Sequence, residues 1–274
     1  MIRDITIGQY YPAKSILHRL DPRVKLVSTL LYLISLFLFS SISGYVVATI
    51  FLVSIIKLSK VPFSFIVKGL KPIIMLLMIT VFFNLFLTRS GDILVQFGIF
   101  TITVGGLRTA VFMAMRLIYL ILGSSLMTFT TTPNELTDGI ESLLAPLKKV
   151  KVPVHEIAMM MSIALRFIPI LLDETDKIMK AQIARGADFE SGNIIQRAKS
   201  MIPILVPLFV SAFRRSADLA MAMEARCYNG GDGRTKMKPL HYEKRDIIAY
   251  ILVFIYVILV YVIGKYLPLH IWIF

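Results

Sequence analysis

Residues 26–56 read LVSTLLYLISLFLFSSISGYVVATIFLVSII, an unbroken run of 31 positions with no Asp, Glu, Lys or Arg. A helix rises about 1.5 Å per residue, so about 20 apolar residues cross the roughly 30 Å of hydrocarbon in a bilayer. The run is too long for one crossing and short for two. Ser40-Ser41-Ile42-Ser43-Gly44 in its middle is turn chemistry. It therefore divides into two short, tilted spans, at 24–40 and 44–58. Further uncharged runs at Pro72–Thr88, Leu117–Asn134 and Ile247–Gly264 bring the expected crossings to about five. No short apolar stretch ending in small residues marks a cleavable signal peptide.

The rest of the composition agrees. Of 274 residues, 57% are hydrophobic and 17% charged, and the mean hydropathy is +0.75. Soluble domains carry about 25% charge. Disordered, collagen-like and disulfide-stapled classes are excluded, and the single Cys227 has no internal partner for a bridge. The net charge of +13 would suggest nucleic acid in a soluble protein. In a membrane protein it reports which loops stay in the cytoplasm.

The basic residues sort cleanly. Arg3, Lys14, Arg19, Arg23 and Lys25 precede the first span; Lys57, Lys60, Lys68 and Lys71 follow the second; 17 lie between residues 132 and 245. The first turn has none, residues 89–106 have only Arg89, and the C-terminal tail has only Lys265. Five spans with the N-terminus inside place every rich segment in the cytoplasm and the C-terminus outside.

Residues 93–107 (ILVQFGIFTITVGGL) alternate and are rich in β-branched side chains, which predicts an external hairpin or re-entrant piece before a helix that begins near Gly106. Arg116 then falls well inside the membrane. An intramembrane arginine is a functional candidate by default. The competing structural reading, favoured because no span holds a carboxylate to pair with it, is that Arg116 snorkels or bonds backbone carbonyls at a packing contact.

From Thr132 to Arg245 the chain stays apolar but acquires charges at helical spacing. Thr132-Pro133-Asn134-Glu135 is a capping box with Pro at the first helical position. It opens a helix expected at 133–148, with Leu136, Ile140, Leu143, Leu144 and Leu147 on one face. Pro153 opens a second, running to Arg185 and kinked at Pro169. A third is expected over 194–228, with Pro203 and Pro207 inside it. A shift of 41 positions lays Ala184-Arg185-Gly186 over Ala225-Arg226-Cys227, and Asp173-Glu174 over Arg214-Arg215. This predicts two crossing arms pinned by opposite charge, against the plainer reading of solvated surface charge. Seven of the 14 methionines (Met159, Met160, Met161, Met179, Met201, Met221, Met223) lie between His155 and Arg226. Met-rich faces repack against different partners, though core gap-filling explains them equally well.

The segment Gly8-Gln9-Tyr10-Tyr11-Pro12, then Leu17-His18-Arg19-Leu20-Asp21-Pro22-Arg23, then Leu165-Arg166-Phe167-Ile168-Pro169 and the two Ala-Arg motifs together resemble the transmembrane T component of an energy-coupling factor (ECF) transporter. The resemblance covers the whole chain. It implies an all-α polytopic protein of the bacterial cell membrane, with about five transmembrane helices plus a cytoplasmic module of three helices, two of them long crossing coupling helices. It also implies a scaffold for ATP-driven vitamin or micronutrient import. Its partners would be two ABC-type ATPases and one or several exchangeable substrate-binding S components. Carried over residue by residue, Ala184, Arg185 and Gly186 would dock one ATPase, and Ala225, Arg226 and Cys227 the other. Met159, Met160, Met161, Met179, Met221 and Met223 form a candidate S-component surface. Cys227 departs from glycine and takes positive φ less readily, so the second arm is expected to continue toward Asn229-Gly230-Gly231.

On this reading the chain divides at 1–131 (arm and first four spans), 132–230 (coupling module), 231–245 (linker) and 246–274 (last span and external tail). Asp21-Pro22-Arg23 reads as an N-cap, a first-position proline and an interfacial anchor. No catalytic, metal or cofactor site is expected. The four histidines are scattered, and Gly230-Gly231-Asp232-Gly233-Arg234-Thr235-Lys236 lacks the P-loop pattern. ATP chemistry would belong to other chains. A proton-coupled carrier would want a midplane carboxylate or His. A membrane-anchored adaptor or permease subunit of another multi-subunit transporter is the remaining alternative.

Overall fold

The computed structural model describes residues 10–266 apart from 89, 98, 99, 190, 192, 231–236 and 238. Gly8-Gln9, Arg89, the glycine-rich run from Gly231 and the tail after residue 266 lie outside the described residues. Helices α1 (Pro22–Ser35), α2 (Ile42–Ser59), α3 (Phe63–Lys68) and α4 (Ile74–Leu87) lead to strands β1 (Ile93–Phe97) and β2 (Phe100–Thr103). Then come α5 (Val104–Thr130), α6 (Pro133–Leu144), α7 (Val154–Ala184), α8 (Ile194–Ser200), α9 (Ile202–Ala225) and α10 (Lys244–Tyr266). Two units divide the described chain, one of Gly8–Gly139 with Leu240–Phe274 and one of Ile140–Pro239.

Among the described residues, four helices are long and apolar enough to cross a bilayer: Ile42–Ser59, Val104–Thr130, Val154–Ala184 and Lys244–Tyr266. The chain is an all-α membrane protein, and the helix set differs in detail from the expected spans. α1 and α4 have 14 residues each, roughly 21 Å of helix, short of the hydrocarbon thickness. The first span stops at Ser35, and the chain reaches Ser41 through a turn. Ser41 then caps α2 by accepting from the Gly44 N–H at 3.4 Å. α7, read from sequence as cytoplasmic, is itself long and apolar enough to cross. The alternating stretch forms an antiparallel hairpin, with Ile93 opposite Thr103 and Phe97 opposite Phe100. α5 follows at once, capped by Thr103, which accepts from the Gly106 N–H at 3.1 Å.

The first unit packs α1, α2, α5 and α10 around Tyr32, Leu36, Phe39, Tyr45, Leu126, Phe129, Tyr256 and Val260. Phe51 stacks on Tyr256 with centroids 3.9 Å apart, and Tyr45 on Phe112 at 5.3 Å. Small residues allow the approach: a Cβ on Gly123 would sit 2.3 Å from Tyr32 Cε1. Polar tips stay paired inside this layer. Tyr256 Oη shares a hydrogen bond with Ser35 Oγ at 3.1 Å, and Tyr45 Oη donates to the Phe112 carbonyl at 3.1 Å.

Arg116 Nη2 donates to the Phe39 carbonyl at 3.1 Å, and its guanidinium lies 5.4 Å from the Phe37 ring centroid. The intramembrane arginine thus serves the α1–α2 corner, where the chain has left the helix and its carbonyls need donors.

One buried carboxylate ties both ends of this unit. Asp246, 1% exposed, accepts from the Asp21 N–H at 2.9 Å and from the Glu243 N–H at 2.8 Å. Those two N–H groups sit at the beginnings of α1 and α10. Asp21 in turn caps α1, accepting from the Arg23 N–H at 2.9 Å and from its guanidinium at 2.8 Å. The Arg23 guanidinium also lies 3.8 Å over the Tyr242 ring. Lys25 Nζ donates to the carbonyls of Thr130 (2.8 Å) and His18 (3.2 Å). His18 is held by Ser15 Oγ and by the Tyr11 carbonyl. The Leu17–Arg23 motif is therefore a structural knot joining α1, α5 and α10.

Asp246→Ala leaves two backbone donors without partners and should cost roughly 2–4 kcal/mol, while Asp246→Asn, which keeps one acceptor oxygen, should cost about half as much. Thermal unfolding of the detergent-solubilised protein measures both. Burial pushes the Asp21 carboxyl up, but hydrogen bonds from Arg23 outweigh it and hold the group below its ordinary range. Its stabilisation is therefore complete above the ordinary carboxylate pKa and is lost as pH falls through the lowered value. Asp21→Asn should flatten that acid limb of the melting profile and lower stability at neutral pH.

Candidate functional site

The second unit is built on α7 and α9. The helix α6, which crosses the division between the units at Gly139, begins with the expected reciprocal cap: the Glu135 N–H donates to Thr132 Oγ1 at 3.3 Å, and the Thr132 N–H to Glu135 Oε2 at 3.2 Å. Glu141 on α6 meets His155 Nδ1 at 3.0 Å. α7 is one helix of 31 residues with Pro169 inside it. The segment expected as a single helix over 194–228 is instead broken at Met201. Pro203 lacks an N–H and lies in the first turn of a new helix, α9, which starts at Ile202 and where that donor is not needed.

The arms run antiparallel. Glu174 Oε2 accepts from Arg215 Nη2 at 2.8 Å, and Glu174 Oε1 from Ser211 Oγ at 2.6 Å. Further along, Gln182 Nε2 donates to the Pro203 carbonyl at 3.4 Å. The usual intrahelical donor to that carbonyl, four positions on, is Pro207, which has no N–H. Asp173 and Arg214 occupy exposed positions and are not brought together. Of the two charged pairs aligned by the repeat, the structure joins Glu174 with Arg215.

Both arms end in the same backbone figure. At the first, the Gly186 N–H bonds the Ile183 carbonyl (2.9 Å) and the Ala187 N–H bonds that of Gln182 (3.0 Å). At the second, the Cys227 N–H bonds the Glu224 carbonyl (2.8 Å) and the Tyr228 N–H bonds that of Met223 (3.0 Å). These are Schellman caps, with Arg185 and Arg226 at the matching cap position and the next residue left-handed. Gly186 has φ +87° and Cys227 φ +57°. The expected continuation toward Asn229-Gly230-Gly231 does not occur: α9 stops at Ala225. Closing two carbonyls outweighs the cost of a Cβ in the left-handed region. All six residues, Ala184 to Gly186 and Ala225 to Cys227, are exposed.

Because the arms are antiparallel, the two arginines lie at opposite ends of the pair. Arg226 is level with Met159, about 26 residues from Arg185 along α7, or roughly 39 Å of straight helix. Near that end α7 and α9 border a cleft of about 500 Å³ lined by Met159, Ser162, Ile163, Arg166, Met223, Arg226 and Tyr228. Arg166, known from sequence only as part of a motif, thus shares a cleft with Arg226. Met160, Met161 and Met221 are exposed, and Met159, Met179 and Met223 half-buried. Ser211 and Gln182 were missed by sequence reasoning. Ser211 lies one turn before Arg215, the only signal that could have flagged it. Among the described residues no group of three or more His, Cys, Asp or Glu could hold a metal.

Residues 13–237 match the CbiQ cobalt transport protein family. The energy-coupling factor transporter transmembrane protein EcfT of Clostridium kluyveri is 59% identical over 250 residues, 91% of this chain and 93% of the relative. The protein of that name from Bacillus subtilis is 51% identical over 246 residues, 90% and 93% of the two chains. That from Heliobacterium modesticaldum is 47% identical over 272 residues, 99% and 98%.

A Cβ at Gly186 would meet nothing within 4 Å, so Gly186→Ala tests backbone conformation alone and should destabilise the first arm's end by about 1 kcal/mol. Cys227→Gly should stabilise the second by about the same amount. Amide-exchange protection of the last helical turns measures both, and the two signs should be opposite.

Proposed function

The chain belongs to the family of energy-coupling factor transporter transmembrane proteins, and from that membership we propose that it is the scaffold and energy-coupling subunit of an ATP-driven vitamin or micronutrient importer. In this reading α7 and α9 are the coupling helices, on the cytoplasmic side with the N-terminus. Arg185 docks one ABC ATPase and Arg226 the other, each flanked by its Ala and by Gly186 or Cys227. The S component, which selects the substrate, rests on apolar faces that include the exposed methionines.

The observation that carries the reading is the repeated helix end. Two arms differ along their length, yet both finish in one backbone figure that projects a guanidinium into solvent. The helix macrodipole favours a cation there, and the guanidinium offers five donors in a planar fork suited to a carboxylate. Small or absent neighbouring side chains let a partner backbone approach. Antiparallel packing supports two separate docking points and not one composite patch. ATP-driven closure of the ATPases would then press on both arms, and the Glu174–Arg215–Ser211 contact is where their movement is shared.

Arg185→Ala with Arg226→Ala should leave membrane insertion intact and weaken ATPase docking by ~2 kcal/mol or more per site. Lys at either position should rescue poorly, since it lacks the fork. Co-purification of tagged ATPases and uptake by reconstituted vesicles are the measurements. Normal assembly and transport in the double alanine variant would refute the assignment.

A further inference from the structure

A second cavity, remote from the arms in sequence, has no role in that proposal. It is a crevice of about 340 Å³ in the first unit, bordered by α1, α2, α5 and α10. Its walls are apolar, with Tyr32, Leu52, Leu126 and Leu252 among them. Its cationic groups sit at one end, where α1 and α10 begin: Lys25 and Arg245, with Ser28 beside them. No carboxylate is among its described lining residues. From Lys25 to Tyr32, and from Arg245 to Val253, the helices descend by roughly 10–12 Å. The crevice is thus a narrow apolar slot with a basic mouth.

The mouth carries donors without acceptors inside the chain. Ser28 Oγ and Arg245 Nε are shut from solvent and make no hydrogen bond. Arg245 Nη2 is engaged by Glu243 at 2.7 Å. Lys25 Nζ spends two protons on the Thr130 and His18 carbonyls, and an ammonium has three. A buried donor left unmade costs about 1–3 kcal/mol. Leu58, Ile248 and Leu252 line the crevice and also expose much of their surface, so the slot opens toward the outside of the bundle.

We infer that this crevice binds one anionic phospholipid of the cytoplasmic leaflet, its phosphate between Lys25 and Arg245 and part of one acyl chain along Tyr32, Leu126 and Leu252. The charge pattern fixes the class. A phosphate at that end faces the positive charges of Lys25 and Arg245, which an apolar segment of another subunit would not use. A zwitterionic headgroup would bring its own ammonium beside two cations. Free phosphate would leave the apolar depth unfilled. Basic pockets between membrane helices on the cytoplasmic side take such headgroups for the same reasons. The inference does not depend on which subunits dock on α7 and α9.

Native mass spectrometry of the full chain in detergent, titrated with phosphatidylglycerol and with phosphatidylethanolamine of identical chains, tests it. The unaltered protein should hold phosphatidylglycerol about thirtyfold more tightly, the preference that two basic residues give an anionic lipid. Arg245→Gln should remove most of that preference and leave phosphatidylethanolamine binding unchanged. Ala249→Leu, which places bulk on the crevice wall, should weaken both lipids. Equal retention of the two lipids by the unaltered chain overturns the inference, and needs no variant to fold. So does full phosphatidylglycerol retention in Ala249→Leu, or displacement of the lipid by inorganic phosphate alone.

Discussion

A single carboxylate, that of Asp246, satisfies the backbone N–H groups at the beginnings of two helices far apart in sequence. Asp21 and Asp246 are buried within the protein, where a helix end cannot turn to water and its N–H groups must find partners in the chain. Asp246 meets this for Asp21 and Glu243 at once, and so fixes where α1 and α10 begin relative to each other. Asp21, Arg23 and Lys25 then extend the same logic to Tyr242 and to the end of α5. The aromatic core and the glycine contact at Tyr32 require that registration. Arg116 does the corresponding work at the opposite corner, bonding a carbonyl where α1 has ended.

Much of this was legible because the bilayer makes composition speak plainly. Uncharged runs located the hydrophobic helices, β-branched alternation located the hairpin, and Thr132-Pro133-Asn134-Glu135 located the start of α6. Span lengths were less legible. The run through Ser40 looked continuous, but α1 stops at Ser35 because a corner held by Arg116 can substitute for the last turn. Hydropathy counts side chains; it does not see a carbonyl satisfied from α5. Nor could the sequence reveal Asp246 as a hub, since one acidic residue opening a helix is an ordinary N-terminal preference.

The arms show a similar division. A shift of 41 positions revealed their repeat, and the matching helix ends followed. Cys227 was misjudged because local preference was weighed alone. The left-handed region is costly for one residue with a Cβ, but continuing the helix would forgo the bonds from the Cys227 and Tyr228 N–H groups. The segment over 194–228, expected as one helix with Pro203 and Pro207 inside it, is broken at Met201. Pro203 starts α9 and does not kink it; Pro207 lies within. Membership of the EcfT family gives these features a common setting.

The bond from Gln182 to the Pro203 carbonyl has a mechanical meaning. Pro207 takes away the N–H that would meet that acceptor from four positions on, and the opposing rod supplies one. Any flexure there changes the length of a link to its neighbour, so neither rod can bow without the other sensing it. A defect in one element's internal ladder thereby becomes the gauge by which two elements keep a common shape.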